Sequence, residues 1–149
     1  MARKRSDRLQ ALMKLAAMKE QTAVRLLAAC TERLQAAQQQ KQQLAEYERD
    51  YQQQYIAQGS QSVDNRFFRN FQGFFRQLEN AQLQQEHAIA HRDNEREQAR
   101  LRWIDLYARR RLLGNVRERW LQSEALESDK KLQRELDDRA AQKLLRKRD

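Results

Sequence analysis

The chain has 149 residues, no proline, three glycines, 34% charged side chains and a mean hydropathy of −1.10, which argues against an ordinary globular core. Its formal charge of +9 and pI near 10.1 point to an acidic partner or surface. A single cysteine, Cys30, excludes an internal disulfide, and no run approaches the roughly 20 apolar residues that span a bilayer. The basic N-terminus lacks the apolar stretch of a signal peptide, so a cytoplasmic protein is expected.

A step of 4, 3, 4, 3 from Leu9 visits Leu9, Met13, Ala16, Glu20, Ala23, Leu27, Cys30, Leu34, Ala37, Lys41, Leu44, Glu48, Tyr51 and Tyr55. Eleven of these fourteen are apolar or aromatic, which is a heptad seam. It predicts a first helix over about 6–57, with Ser6 and Asp7 suited to its start. The pattern stops at "QGSQSVDN", residues 58–65. Gly59 suits a left-handed helix end there, and Ser62 or Asp64 suits the cap of the next helix.

A second helix is expected over about 66–145. Phe67, Phe71, Phe74 and Leu78 open its seam, and Ile89, Ala99, Trp103, Leu106, Leu113 and Trp120 continue it. Polar gaps fall at 82, 85, 92, 96, 110 and 117, and Gly114 is a weak spot. If the helices fold back about the loop, facing positions should sum to about 122, pairing Leu44 with Leu78, Ala23 with Ala99 and Leu9 with Leu113. The expected fold is therefore all-α: one antiparallel two-helix coiled-coil hairpin over 1–149, its second helix the longer, with an overhang from about 117. An extended rod follows from that reading. Leu126, Leu132, Leu136, Ala140 and Leu144 in the overhang have no intramolecular partner.

Charge and aromatics are segregated. Residues 1–8 and 140–149 carry +3 each and 91–119 carry +4, whereas 47–75 are neutral. That neutral stretch holds eight of the eleven aromatics, in "YERDYQQQY" (47–55) and "RFFRNFQGFF" (66–75). Packing at the hairpin tip explains Tyr51, Tyr55, Phe67, Phe71 and Phe74. Tyr47, Phe68 and Phe75 lie off the narrow seam, and so wide a stripe points to a docking surface as well.

Little else carries chemistry. The glutamine-rich stretch reads as a solvated face, Cys30 as a small seam hydrophobe, and Trp103 and Trp120 as seam residues. His87 and His91 have no third ligand at metal-binding spacing. There is no phosphate-binding glycine loop, nucleophile elbow or HExxH pair, so neither an enzyme nor a cofactor is expected.

The segments "LLAACTERLQAAQQQKQQLAEYERDYQQQY" and "FQGFFRQLENA", in this order around a short loop and between basic ends, resemble the FliJ family. That family is the soluble coiled-coil component of the bacterial flagellar type III export apparatus. The resemblance implies a stalk-like antiparallel coiled coil. It implies as partners a FliI-like export ATPase hexamer, a FlhA-like export gate protein and export chaperones, with peripheral association at the membrane export gate. Carried over by motif, the gate-docking surface is Gln40, Leu44, Tyr47, Tyr51, Phe74, Leu78 and Ala81. A further family position, a histidine in some members, corresponds to Gln85. The basic ends, Arg3, Lys4, Arg5 and Arg8 with Lys143, Arg146, Lys147 and Arg148, are the expected ATPase contact. Two other readings stand beside this one: a nucleic-acid-binding basic coiled coil, against which the segregation of aromatics from basic patches counts, and the equivalent stalk of a virulence secretion system.

Overall fold

A computed structural model of the chain describes residues 5–59 and 65–148. It consists of two α-helices, α1 (Arg5–Gly59, 55 residues) and α2 (Asn65–Arg148, 84 residues). The two pack against each other, and there is no strand among the described residues. This is the expected all-α hairpin with the longer helix second. Sequence composition explains the length of the helices: proline is absent, and Ala, Leu, Gln, Glu, Lys and Arg dominate both. Contacts divide the chain into two units, 22–104 and a second made of 1–21 with 105–149.

In the 22–104 unit the heptad positions form the interface. Ala23, Cys30, Leu34 and Ala37 of α1 and Leu78 and Ala99 of α2 are buried. Leu27, Leu44, Glu48, Tyr51 and Tyr55 of α1, and Phe67, Phe71, Phe74 and Ile89 of α2, are half-buried. Lys41 is the exposed exception, lying 4.0 Å from Glu86. Several core residues are small, which lets the helices approach closely. Truncating a buried leucine such as Leu34 to alanine would cost about 2–5 kcal/mol, the usual range for such a cavity.

Two of the polar gaps in the α2 seam of this unit, 82 and 85, are filled by bonds across the pair. Gln82 Nε2 donates to Glu48 Oε2 at 2.7 Å, and Gln85 Nε2 donates to the Ala37 carbonyl at 2.7 Å. Such layers cost little stability when satisfied and they specify one register. Along and beside its seam, α2 carries ion pairs three residues apart, Arg92–Glu95, Asp93–Arg96 and Glu97–Arg100, and all of these residues but Asp93 are half-buried. The hydrogen bond from Arg92 holds the Glu95 carboxyl below its ordinary range. Its small contribution is present above the usual carboxylate pKa and is lost as pH falls through the lowered value.

In the other unit, Leu9 and Leu106 are buried, and Met13, Ala16, Leu113 and Trp120 are half-buried. Arg110 Nε donates to Glu20 across the pair. Ser6 is the most buried polar residue, 1% exposed. Its backbone N–H and its hydroxyl donate to the two carboxylate oxygens of Glu124 at 3.3 and 2.7 Å. The sequence suggested Ser6 as a cap for its own helix. Instead a carboxylate from α2 satisfies an N–H near the described start of α1, where the helix dipole also favours negative charge.

Three expectations need adjustment. The cover of α2 extends beyond 117: Arg117 and Trp120 are half-buried, Glu124 is bonded, and residues 125–148 are exposed. Gly59 is the last residue of α1, yet no described residue has positive φ, so a left-handed glycine does not end that helix. Ser62 and Asp64 lie outside the described residues. The third concerns register. The ring pairs Tyr55–Phe67 and Tyr51–Phe71 have the expected sum of 122, whereas the polar pairs Glu48–Gln82, Glu20–Arg110 and Ser6–Glu124 have 130. Helical side chains lean toward the N-terminus of their own helix. In an antiparallel pair both partners lean the same numerical way, so long polar side chains meet at a higher sum than backbone register alone gives.

Intramolecular pairing has a direct check within the 22–104 unit. With Cys30 replaced by alanine, cysteines at Ala23 and Ala99 should cross-link inside one chain and shift its mobility on a non-reducing gel. Cross-linking only between chains would mean that the helices pair intermolecularly in solution.

Candidate docking surface and basic ends

The aromatic end of the 22–104 unit is a packed ladder. Tyr55 stacks on Phe67 with centroids 5.8 Å apart and planes 9° from parallel. Tyr51 stacks on Phe74 at 3.6 Å and 15°. Phe71 lies between them, 5.1 Å from Tyr55 and 5.5 Å from Tyr51. Pairs of this kind contribute about 0.5–1.5 kcal/mol each beyond area burial, so the ladder fixes the end of the unit. Tyr47 stands to one side, 5.8 Å from Tyr51 and 6.1 Å from Phe74. Phe68 and Phe75 are edge-on to Tyr55, at 5.8 and 6.1 Å. Packing and surface are therefore both present: ladder residues are half-buried, while Tyr47 is 55% and Phe68 37% exposed.

The seven residues named by family resemblance fall into three groups. Gln40 and Tyr47 are exposed. Leu44, Tyr51, Phe74 and Ala81 are half-buried, each with part of its surface reachable. Leu78 is only 6% exposed and belongs to the helix–helix seam. Gln85 Nε2 reaches Gln40 Oε1 at 3.2 Å as well as the Ala37 carbonyl, so it holds Gln40 in place. Beside Tyr51 and Phe74 lies a shallow concavity of about 400 Å³, lined also by Arg69, Asn70, Phe71, Gly73 and Gln77.

Gly73 is a residue that periodicity passed over. It sits inside α2, where glycine costs about 1 kcal/mol relative to alanine. A Cβ built there meets no heavy atom within 4 Å, so internal packing does not require glycine. The signal in the sequence was a helix-interior glycine between Phe71 and Phe74. Gly73→Ala should raise the thermal midpoint, by the equivalent of about 0.5–1 kcal/mol. A drop in the midpoint on melting by circular dichroism would show that the glycine serves the fold after all.

The basic ends do not form one patch. Arg3 and Lys4 lie outside the described residues. Arg5 and Arg8 are exposed; the Arg5 guanidinium lies 5.9 Å from the Trp120 ring centroid, a cation–π contact. Both line a concavity with Trp120, Ser123, Glu124, Glu127, Ser128 and Lys131. Lys143, Arg146, Lys147 and Arg148 are exposed at the far end of α2. Trp120 and Lys143 are 23 residues apart on one helix. At 1.5 Å per residue that is about 35 Å. The stretch between them, 121–142, carries six acids against four bases, a net −2. Arg146, Lys147 and Arg148 also sit in the last turn of α2, where cations complement the dipole.

No group of three or more His, Cys, Asp or Glu able to hold a metal exists among the described residues, and no described helix is long and apolar enough to cross a membrane. No curated protein and no solved structure matches the chain. A family model described as "Flagellar FliJ protein" matches residues 5–149. With nearly its whole length matched, two mutually packed helices and an aromatic ladder where the motifs place it, the chain belongs to the FliJ family and with it to the proteins of flagellar type III export.

Proposed function

We propose that this chain is a non-catalytic stalk and escort of flagellar export. In this reading it engages the export ATPase ring through its basic ends, docks on the export gate through the aromatic end, and hands over export chaperones. It works in the cytoplasm, peripherally associated with the membrane at the gate. The observation that carries the reading is the division of surface. A neutral aromatic patch with exposed Tyr47 lies in one unit, and exposed cationic side chains lie in the other. Desolvated aromatic contacts give binding energy; cationic ones give steering toward acidic partners.

Docking on the gate would use Tyr47, with Gln40, Ala81 and the free edges of Leu44, Tyr51 and Phe74. Leu78 supports these from beneath and does not meet the partner. The concavity beside Gly73 receives a partner side chain. The two cationic clusters, some 35 Å apart by helix rise, make separate contacts with the ATPase. The test is a pull-down: tagged chain should retain the purified export ATPase and, separately, the cytoplasmic part of the gate protein. Retention of neither at low salt would overturn the reading.

A further inference from the structure

We propose that one flank of the unit made of 1–21 and 105–149 is a docking face for an acidic amphipathic helix of a partner protein, apolar in its middle and bearing carboxylates toward both ends. The face shares Arg8 with the ATPase contact proposed above but does not depend on that contact.

Beside the seam, each helix carries a second stripe at the same 3, 4 step. On α1 it is Arg8, Leu12, Leu15 and Lys19; on α2 it is Arg109, Leu112, Val116 and Arg119. At 100° per residue both stripes lie roughly 100° round from the seam, in the same rotational sense. Antiparallel pairing puts equivalent flanks on one side, and the Arg5 guanidinium, 5.9 Å from the Trp120 ring centroid, bridges the two helices at the edge of this face. Facing members are level. Arg8 with Arg119 and Leu15 with Leu112 sum to 127, and Leu12 with Val116 and Lys19 with Arg109 sum to 128, between the 122 and 130 of pairs that touch. The result is an apolar centre with a cation at both ends of each row. Leu12 is 53%, Leu15 49% and Leu112 64% exposed, Val116 is half-buried, and all four cations are exposed.

Charge identifies the occupant. With Arg5 and Asp105, which extend the two stripes by one step, five bases face one acid, a net +4. Asp105 is already held by Arg109 at 3.4 Å. On the opposite flank the equivalent stripes carry Lys14 and Arg111 against Asp7 and Glu118, a net of zero. The cationic excess therefore belongs to one flank of this unit and coincides with its exposed leucines. Carboxylates relieve the repulsion and an apolar stripe covers the leucines; a helix presents both at the same 3, 4 spacing. From Arg8 to Lys19 the face runs about 17 Å, the length of about 12 residues of partner helix. Val116 and Trp120 are half-buried toward the groove between the helices, where a third helix reaches them and a flat lipid surface does not.

Isothermal titration of the full chain with a designed peptide, at about 0.15 M salt, reads the result. The peptide has about 18 residues, enough to hold a helix, with leucines at a 3, 4 step in its middle and glutamates on the same stripe toward both ends. It should bind with a Kd on the order of 10–100 µM, as suits a small contact. A peptide of the same composition with its leucines spread round the helix should bind roughly tenfold more weakly or worse. Leu12→Gln with Leu112→Gln should also cost roughly tenfold or more, at unchanged helicity, since both side chains are exposed. Lys19→Glu with Arg119→Glu should cost about as much. Lys14→Glu with Arg111→Glu makes the same change in net charge on the opposite flank and should cost no more than about threefold. Absence of peptide binding overturns the proposal. So does binding indifferent to leucine placement or to L12Q/L112Q, or an effect of K14E/R111E equal to that of K19E/R119E, which would reduce the face to bulk charge. Binding of the chain to phosphatidylserine vesicles that L12Q/L112Q abolishes, without peptide binding, would overturn it in favour of a lipid surface.

Discussion

Tyr47→Ala should weaken binding to the export gate by about tenfold to a hundredfold, the effect of losing an aromatic hot spot worth roughly 1.4–2.8 kcal/mol. It should leave helicity and ATPase engagement unchanged. The reason is its place beside the ladder. Tyr47 is more than half exposed and touches Tyr51 and Phe74 only at about 6 Å, so its removal leaves their 3.6 Å stack intact. Tyr51→Ala or Phe74→Ala would reduce docking too, but each also dismantles the stack and lowers stability. Tyr47 therefore separates docking from folding, and Leu78→Ala supplies the opposite control: lower stability with little direct effect on the partner. The effect should lie mainly in a faster dissociation rate, because a neutral contact adds little steering. Biolayer interferometry against the immobilised cytoplasmic part of the gate reads both rates.

Removing residues 140–149 should have the complementary effect. It takes away Lys143, Arg146, Lys147 and Arg148, all exposed, and no described contact crosses from this segment to α1. Folding should be unaffected apart from the loss of helix at that end. Stimulation of the export ATPase should fall about tenfold or more, four charge-assisted contacts being lost. The contact that remains, through Arg5 and Arg8, should fade as salt rises, because exposed charges are screened beyond about 10 Å at 0.1 M. Arg5→Glu with Arg8→Glu tests the nearer cluster by itself. Since roughly 35 Å of helix separates the clusters, their effects should add.

Much of the fold was legible in the heptad step. Every seam position of α1 within 9–55 is buried or half-buried except Lys41, and the same holds for the named apolar positions of α2. The polar gaps at 82, 85 and 110 looked like weak signal but proved to be half-buried positions whose side chains bond across the pair. A one-dimensional rule sees a glutamine or an arginine there as a missing hydrophobe. It cannot see the glutamate or carbonyl that awaits it some 30 to 90 residues away. The same blindness explains Ser6: as a local cap it was plausible, whereas its partner Glu124 is defined only by the fold.

The candidate surface was legible in composition more than in geometry. The concentration of eight aromatics in 47–75 suggested it, and the off-seam places of Tyr47 and Phe68 match their exposure, whereas Phe75, also off the seam, is half-buried. Which residues face inward depended on how far the stripe wraps. Leu78 is committed to the seam, and Tyr51 and Phe74 share themselves between packing and surface. The grouping of both basic ends into one site was natural from charge alone. The length of exposed helix between them keeps them apart.

The central claim is that docking and ATPase engagement use different parts of this chain. ATP hydrolysis by the export ATPase, titrated with the wild-type chain, with Tyr47→Ala and with the chain lacking 140–149, tests it most directly. Wild type and Tyr47→Ala should stimulate alike, within about twofold, an energy difference below about 0.5 kcal/mol, while the truncated chain should stimulate poorly and lose what remains as salt rises. Equal loss of stimulation in both variants would contradict the account, because it would show that aromatic end and basic ends act as one site.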